Sequence, residues 1–173
     1  MNAQSNKLED TLSDLHTQTQ PDNCLRSDIS LRPMQMDDLD AIMNIEPTIY
    51  SHPWSRGNFS DSLQSGYSAW VMLQNQRIIG YALLMMILDE AHLLNLSVAK
   101  SLQKQGLGRY LLHHMMMVAK RHKAATLFLE VRVSNTTAIA LYESVGFCEM
   151  AIRRGYYPAQ QGREDAILMG LPL

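Results

Sequence analysis

An acidic residue interrupts a stretch that otherwise predicts a buried strand. Residues 127–133 read LFLEVRV, in which apolar and β-branched side chains surround Glu130. Removing an ionised carboxylate from water is costly unless the carboxylate is paired with a cation or does work that needs a raised pKa. Glu130 is therefore a candidate for work that needs a raised pKa, which partial removal from water by its apolar neighbours would provide. The alternative is a solvent-facing side chain, or one paired with Arg132 on the same strand face.

A glycine-containing loop is the second chemical signal. Residues 103–109 read QKQGLGR and lie between a predicted strand and a long predicted helix. Gly106 and Gly108 let the backbone approach a ligand closely, and the helix N-terminus supplies N–H groups and the positive end of a dipole. Together these features suit a pyrophosphate group. The loop lacks the GK[ST] ending of a Walker loop and the third glycine of a dinucleotide fingerprint, and its alternative is a turn with close helix packing.

Composition limits the classes of protein that the chain can represent. A length of 173 residues suits one domain plus tails. Fifteen Lys and Arg against seventeen Asp and Glu give a net charge of −2, so no global basic field would attract nucleic acid or an anionic membrane. Cys24 and Cys148 form neither a metal spacing nor a disulfide framework. With no signal peptide and no membrane-length apolar run, a soluble, cytoplasmic protein is expected.

Hydrophobic periodicity predicts one folded domain of alternating element types. Residues 1–28 are polar and poor in aromatics, which predicts a mobile tail before a domain at 29–173. Helical periodicity, with acidic residues in the first turn, predicts a helix over residues 36–50. Pro47 is expected to disrupt this helix. Further helices are predicted over 56–66, 109–123 and 135–146. Strands are predicted over 29–34, 67–88 with a turn at 74–77, 90–100, 127–133, 147–154 and 165–171, with 155–163 as a loop.

This order of elements resembles the GNAT superfamily of N-acetyltransferases. In that family a loop of pattern [QR]-x-x-G-x-[GA] binds the pyrophosphate of acetyl-CoA, and residues 103–108 match every fixed position. Residues 94–112, 129–147 and 152–169 further resemble the RimI-type branch, which acetylates the N-terminal alanine of a small-subunit ribosomal protein. The resemblance covers about 29–173. It implies an α/β (α+β) GNAT fold with a mixed central sheet of about seven strands flanked by about four helices.

The resemblance also assigns roles to individual residues. Glu130 corresponds to the general base that takes a proton from the substrate α-ammonium, usually through water. Tyr142 corresponds to the general acid that protonates the CoA thiolate, since a phenol is protonated at neutral pH; core packing is its alternative. Asn135 is expected to contact the cofactor, to cap the helix beginning at Thr136, or both. The expected cofactor-binding residues are Leu96, Ser97, Val98, Gln103, Lys104, Gln105, Gly106, Leu107, Gly108, Arg109 and Asn135.

Backbone groups are expected to do much of the cofactor binding. In relatives, the strand stretch corresponding to residues 96–98 holds the acetyl carbonyl and the pantetheine arm where two parallel strands splay apart, and its N–H groups stabilise the oxyanion. Two departures from the family pattern stand nearby. Ala99-Lys100 replaces a frequent Asp-Pro, which bears on the turn geometry, and Lys104-Gln105 replaces two arginines, which should weaken cofactor affinity at most.

For the substrate, the resemblance implies a groove between residues 50–57 and 155–163. Trp54 and Tyr157 would form its walls and Glu46 would accept from a basic peptide, whereas core packing is the alternative for the aromatic residues. The expected partner is a ribosomal protein N-terminus, with no direct nucleic-acid or membrane partner, no metal and no indication of an oligomeric state. The alternatives are acetylation of a small-molecule amine or a protein lysine and, outside enzymes, a non-catalytic CoA-binding module.

Overall fold

The structure, a computed structural model, describes residues 28–173. The tail predicted at 1–28 lies outside the described residues except for Asp28, whose carboxylate accepts from Gln74 at 2.7 Å. The strands are β1 Ile29–Pro33, β2 Ser68–Gln74, β3 Arg77–Ile87, β4 Glu90–Val98, β5 Thr126–Arg132, β6 Cys148–Pro158 and β7 Arg163–Pro172. The α-helices are α1 Leu39–Ile49, α2 Arg56–Gln64, α3 Leu107–Arg121 and α4 Thr136–Ser144.

One seven-stranded sheet organises the described residues, in the order β1-β2-β3-β4-β5-β7-β6. β4 and β5 are parallel and every other neighbouring pair is antiparallel. The parallel pair needs a crossover connection, and α3 supplies it. The predicted mixed sheet of seven strands with four α-helices is therefore confirmed for this part of the chain.

Helices cover both faces of the sheet and bury the apolar side chains that β3 presents on each face. Tyr81 and Leu83 pack in a cluster with residues of α1 and α2, whereas Ala82 and Leu84 pack in a second cluster with residues of α3 and α4. This alternation follows from the two-residue repeat of a strand. The central strands are thus packed on both faces, which fixes the position of β4, the neighbour of β3 in the sheet.

Helix α1 passes through Pro47, where the sequence predicts an interruption. Pro47 lies within Leu39–Ile49, two residues before the helix ends. Its missing N–H removes one intrahelical bond, to the carbonyl of Met43, and the Tyr50 N–H still bonds to the Glu46 carbonyl at 3.1 Å. The prediction of a break at Pro47 is wrong: the proline costs the helix one bond to the preceding turn, and the helix continues to Ile49.

Strand β6 extends into the segment for which the sequence predicts a loop. Its pairing with β7 shifts register between Arg153 and Tyr157 and then resumes at Tyr157↔Glu164. Gly155 lies within this irregularity with a φ of 55°, a conformation that glycine adopts without steric cost. The prediction of a loop over 155–163 is therefore wrong for its first half: Tyr157 lies on a strand, and only residues 159–162 connect β6 to β7.

Candidate active site

The two parallel strands of the sheet separate at their C-terminal ends. β4 and β5 are paired from Glu90↔Thr126 to Leu93↔Leu129, and within the described residues their ladder extends no further. At the same point β4 carries one extra residue, Leu94, because the register with β3 shifts between Leu83 and Leu84. Such a bulge bends a strand and increases its local twist. The backbone of β4 beyond Leu93 therefore faces an opening instead of a neighbouring strand.

A cavity of about 320 Å³ occupies this opening. β4 contributes one wall and β5 the other, while the α1–α2 loop, the start of α4 and the end of β6 complete the enclosure. The cavity brings together many of the residues singled out in the sequence. Its lining includes Glu46, Tyr50, Trp54, Asn95, Leu96, Glu130, Arg132, Asn135, Tyr142 and Tyr157.

Glu130 reaches this cavity from β5, with 22% of its side chain exposed. Its Oε1 lies 2.5 Å from Nη1 of Arg153, which reaches across β7 from β6. The Tyr156 hydroxyl also bonds to the Glu130 carboxylate, and this bond is the largest cause of the raised pKa of Tyr156. The expected alternative pairing with Arg132 is absent. Because half of the Arg153 side chain is exposed, solvent screens its ion pair with Glu130, and such a pair contributes little free energy.

Arg132 instead braces the wall opposite β4. Its Nη1 donates to Glu164 at 3.1 Å and to the carbonyl of Pro158 at 2.9 Å. Its guanidinium lies 4.4 Å from the centroid of the Tyr157 ring. The Tyr157 hydroxyl donates to the backbone carbonyl of Glu130 at 3.1 Å, and burial raises the pKa of Tyr157 to about 12. Tyr157 thus lines the cavity and fixes the end of β6 against β5.

Tyr142 lies on α4 and lines the cavity, although only 7% of it is exposed. Its ring packs against Phe147 with centroids 5.6 Å apart. Burial raises the pKa of Tyr142 above its ordinary value, so the hydroxyl keeps its proton well into the alkaline range. The two interpretations of this residue are compatible in the structure, since one part of the ring packs in the core while the residue also borders the cavity.

The glycine loop, which we call the cradle, leaves open space at the start of α3. Gly106 is the N-cap of α3 with a φ of 81°, and a Cβ placed there would meet no atom within 4 Å. Open space therefore adjoins the helix N-terminus, whose first N–H groups point away from the helix body. Gly108 differs, because its Cβ would meet Leu141 at an ordinary contact distance of 3.5 Å. The space beside Gly106 leaves room for an anion, whose binding there stays a prediction, whereas Gly108 packs against α4.

The remaining loop residues hold the cradle in place. The Gln103 side chain donates to the carbonyl of Val98 at 3.0 Å, which ties the loop to the end of β4. Arg109 donates to Ser144 Oγ at 2.8 Å and so links α3 to α4. Lys104, with a φ of 60°, and Gln105 are exposed, whereas Leu107 is buried in the core. Direct cofactor contact by these side chains stays a prediction.

Asn135 lies where α4 begins and serves as its N-cap. Its Oδ1 accepts from the Ala138 N–H at 3.2 Å, which is the expected capping bond, and the residue also lines the cavity. On the opposite wall Leu96 lines the cavity, while Ser97 and Val98 are buried beside it. The positions expected to hold the acetyl carbonyl therefore lie on the strand that borders the opening.

Glu46 and Trp54 are joined by a hydrogen bond from the Trp54 N–H to Glu46 Oε1 at 2.9 Å. Only 1% of Glu46 is exposed, and its Oε2 accepts from the Tyr81 hydroxyl. This arrangement favours a role in holding the α1–α2 loop. Trp54 packs against Phe59 with centroids 5.3 Å apart and also lines the cavity. Substrate contact by Glu46, Trp54 and Tyr157 stays a prediction.

Sequence reasoning missed three polar residues of the site. No role for Arg153 is predicted from the sequence, and its reach across β7 to Glu130 follows only from the strand order. Tyr50 begins the predicted groove segment 50–57 but has no predicted role of its own, and Asn95 lines the cavity without a predicted role. Asn95 did carry a signal, because it interrupts the apolar stretch LLNLSV as Glu130 interrupts its own strand.

The histidines of α3 lie either in packed positions or on the surface. His114 lies edge-on to Trp70 with centroids 4.2 Å apart, and burial lowers its pKa. Within residues 28–173 no three His, Cys, Asp or Glu side chains are placed to hold a metal ion. Over the same range no helix combines the length and the apolar character needed to cross a membrane.

Known proteins are similar to this chain in both sequence and fold. Residues 39–147 match the acetyltransferase (GNAT) family. The chain is 44% identical to the ribosomal protein bS18-alanine N-acetyltransferase of Escherichia coli (strain K12), over 83% of this chain and 97% of that protein. It is 38% identical to the enzyme of the same name from Haemophilus ducreyi, over 79% and 94%. The crystal structure of the Escherichia coli enzyme matches with a TM-score of 0.79, covering 83% of this chain and 93% of that one.

Proposed function

Because the chain belongs to the acetyltransferase (GNAT) family, we propose that it transfers an acetyl group from acetyl-CoA to the α-amine of an N-terminal alanine on a ribosomal protein. The chain is an acetyl-CoA-dependent N-acetyltransferase of the RimI type. The observation that carries the substrate is its 44% identity to the bS18-alanine enzyme over 97% of that enzyme's length. Such a substrate is made in the cytoplasm, where we also place this protein. The catalytic domain would comprise residues 29–173.

Acetyl-CoA suits two features of the structure. The open space beside Gly106 at the N-terminus of α3 fits a pyrophosphate, and the opening between β4 and β5 fits an extended arm with its carbonyl beside backbone N–H groups. When bound, acetyl-CoA supplies an acetyl group activated as a thioester. Residues Leu96, Ser97 and Val98 would border it on one strand, and Asn135 would border it on α4.

Two side chains of the cavity have complementary roles in this proposal. Glu130 takes a proton from the substrate α-ammonium, directly or through water, and so frees the nitrogen lone pair for attack. Tyr142, which keeps its proton because burial raises its pKa, donates it to the departing sulfur. Backbone N–H groups of β4 stabilise the negative charge that develops on the acetyl oxygen. The nitrogen releases a second proton as the amide forms, and this proton restores the Tyr142 phenol. The proton taken by Glu130 returns to solvent after the product leaves.

Substitution of Gly106 by valine should raise the Kd for acetyl-CoA by roughly tenfold or more. A β-branched residue disfavours the φ of 81° and would place methyl groups in the space assigned to pyrophosphate. Isothermal titration calorimetry measures the change. Gly66→Val is the matched control, because Gly66 has a φ of 76° with equally open surroundings and does not line the cavity. Normal acetyl-CoA binding by the Gly106 variant would refute the cradle.

A peptide that begins with alanine should react much faster than one whose only amine is a lysine side chain. In this proposal the acceptor enters between Trp54 and Tyr157, which both line the cavity, and its first residue is expected to be small and unblocked. Steady-state rates for peptides that differ at residue one test this expectation. The preference should weaken in Trp54→Ala and Tyr157→Ala, and persist in Tyr110→Ala, which changes an exposed tyrosine of α3. Equal rates on lysine peptides or small amines would overturn the substrate assignment.

A further inference from the structure

A buried polar network lies behind one wall of the cavity. It begins at Tyr50, at the end of α1, whose hydroxyl lies 2.9 Å from Ser97 Oγ. Ser97 Oγ donates to Asn95 Oδ1 at 2.7 Å, and the Asn95 side chain bonds to Glu46. Only 3% of Ser97 and 9% of Asn95 are exposed. The roles assigned above use none of the three hydroxyl and amide groups in this chain of contacts.

The direction of every bond in the network follows from the carboxylate at its far end. Burial raises the pKa of Glu46, whereas the contacts from the Tyr81 hydroxyl, the Trp54 N–H and the Asn95 side chain each act to lower it, as expected where Glu46 is the acceptor. Asn95 must then turn its NH₂ towards Glu46 and its oxygen towards Ser97. Ser97 also contacts the Tyr81 hydroxyl, but it has a single proton, and the Asn95 oxygen at 2.7 Å can only accept, so Ser97 donates to that oxygen.

This polarity leaves Tyr50 one possible orientation. Since the Ser97 proton is already committed to Asn95, Tyr50 must donate its own proton to Ser97. Burial raises the pKa of Tyr50, so this proton is present at neutral pH. The lone pairs of the phenolic oxygen are then the groups that Tyr50 can offer to the cavity, which it lines. The network cannot act as a proton relay, because an amide side chain at Asn95 does not pass protons on.

We propose that Tyr50 is a substrate-positioning residue whose hydroxyl oxygen accepts an N–H from the acceptor amine and so aims the nitrogen lone pair at the acetyl carbonyl. The inference rests on the proposed acetylation of an α-amine in this cavity. An α-ammonium carries three N–H donors, and an acceptor on the β4 side complements Glu130 on the β5 side. An amine held at two points has its lone pair oriented before attack. Glu46, Asn95 and Ser97 act through Tyr50 by fixing the direction of its proton.

Tyr50→Phe keeps the ring and removes the acceptor. For the preferred peptide we expect kcat/KM to fall roughly tenfold, with an unchanged Kd for acetyl-CoA and an unchanged shape of the pH profile, since the base is intact. Ser97→Ala should cause a similar loss although Tyr50 is present. Without Ser97 as acceptor, the Tyr50 hydroxyl is free to turn its proton towards the ammonium. Ser62→Ala is the matched control, a buried serine that bonds to Asn58 in α2.

The double variant separates positioning from general damage to the fold. If both substitutions act on one interaction, Tyr50→Phe/Ser97→Ala should be no worse than Tyr50→Phe alone. Losses that add in the double variant, full activity in Tyr50→Phe, or a weakened acetyl-CoA Kd would each overturn the inference. The assays use whichever peptide the unmodified protein prefers. A wrong substrate assignment would therefore appear in the unmodified protein, and a wrong role for Tyr50 only in the variants.

Discussion

Replacement of Glu130 by glutamine should lower kcat/KM by roughly 10²-fold or more while leaving the Kd for acetyl-CoA nearly unchanged. Glutamine has the shape of glutamate but cannot take a proton from the substrate ammonium. Glu130 lies on β5 in the cavity, whereas the cradle at Gly106 is formed by a different segment, so cofactor binding should not depend on it. Steady-state kinetics over a range of pH, combined with calorimetry, measures both quantities.

Glu90→Gln is the matched control for that experiment. Glu90 is also a strand carboxylate in contact with a basic side chain, His92 at 3.0 Å, but it lies at the paired end of β4, away from the cavity. We expect Glu90→Gln to keep full activity. If Glu130→Gln retained activity across the pH range, the carboxylate would be a structural partner of Arg153 and another group would have to accept the proton.

Replacement of Tyr142 by phenylalanine should lower kcat by roughly 10²-fold, because the departing thiolate loses its proton donor. The substitution nearly conserves volume, so the packing against Phe147 should persist and the acetyl-CoA Kd should change little. Burial raises the pKa of Tyr142 above its ordinary value near 10. The unmodified protein should therefore show no loss of kcat from deprotonation of this group below about pH 10.

Tyr110→Phe provides the corresponding control, since Tyr110 is a helical tyrosine on α3 with 38% of its surface exposed. Its kcat should equal that of the unmodified protein in the same assay. A Tyr142→Phe variant with normal kcat would mean that this ring serves core packing alone. The thiolate would then leave without a proton from the protein.

Local sequence patterns were sufficient to predict the elements that carry the candidate site. Glu130 interrupts an apolar strand, and Gly106 introduces a helix of clear 3.6-residue periodicity, so both signals lie within a few residues. The order of strands and helices followed from the same patterns. The predictions at Pro47 and Gly155 were wrong because these residue types usually end a helix or a strand. Here Pro47 lies near the end of α1, and Gly155 lies in an irregularity within β6.

Contacts between distant segments were not visible in the sequence. Arg153 meets Glu130 only because β7 inserts between β5 and β6, and a long side chain can cross one strand. Tyr50 and Ser97 are 47 residues apart, and their hydrogen bond depends on where the end of α1 lies relative to β4. No periodicity or local motif reports such a pair, so the polarity of the network that holds Tyr50 required the folded structure.

The most direct test of the account is to find where the acetyl group goes. Unmodified protein would be incubated with acetyl-CoA and ribosomal protein bS18 carrying a free N-terminal alanine, and the product would be fragmented by tandem mass spectrometry. We predict a single acetyl group on the α-amine of residue one, absent when Glu130→Gln replaces the unmodified protein over the same short incubation. Acetylation of lysine side chains with a free N-terminus, or no transfer to this protein at all, would contradict the account.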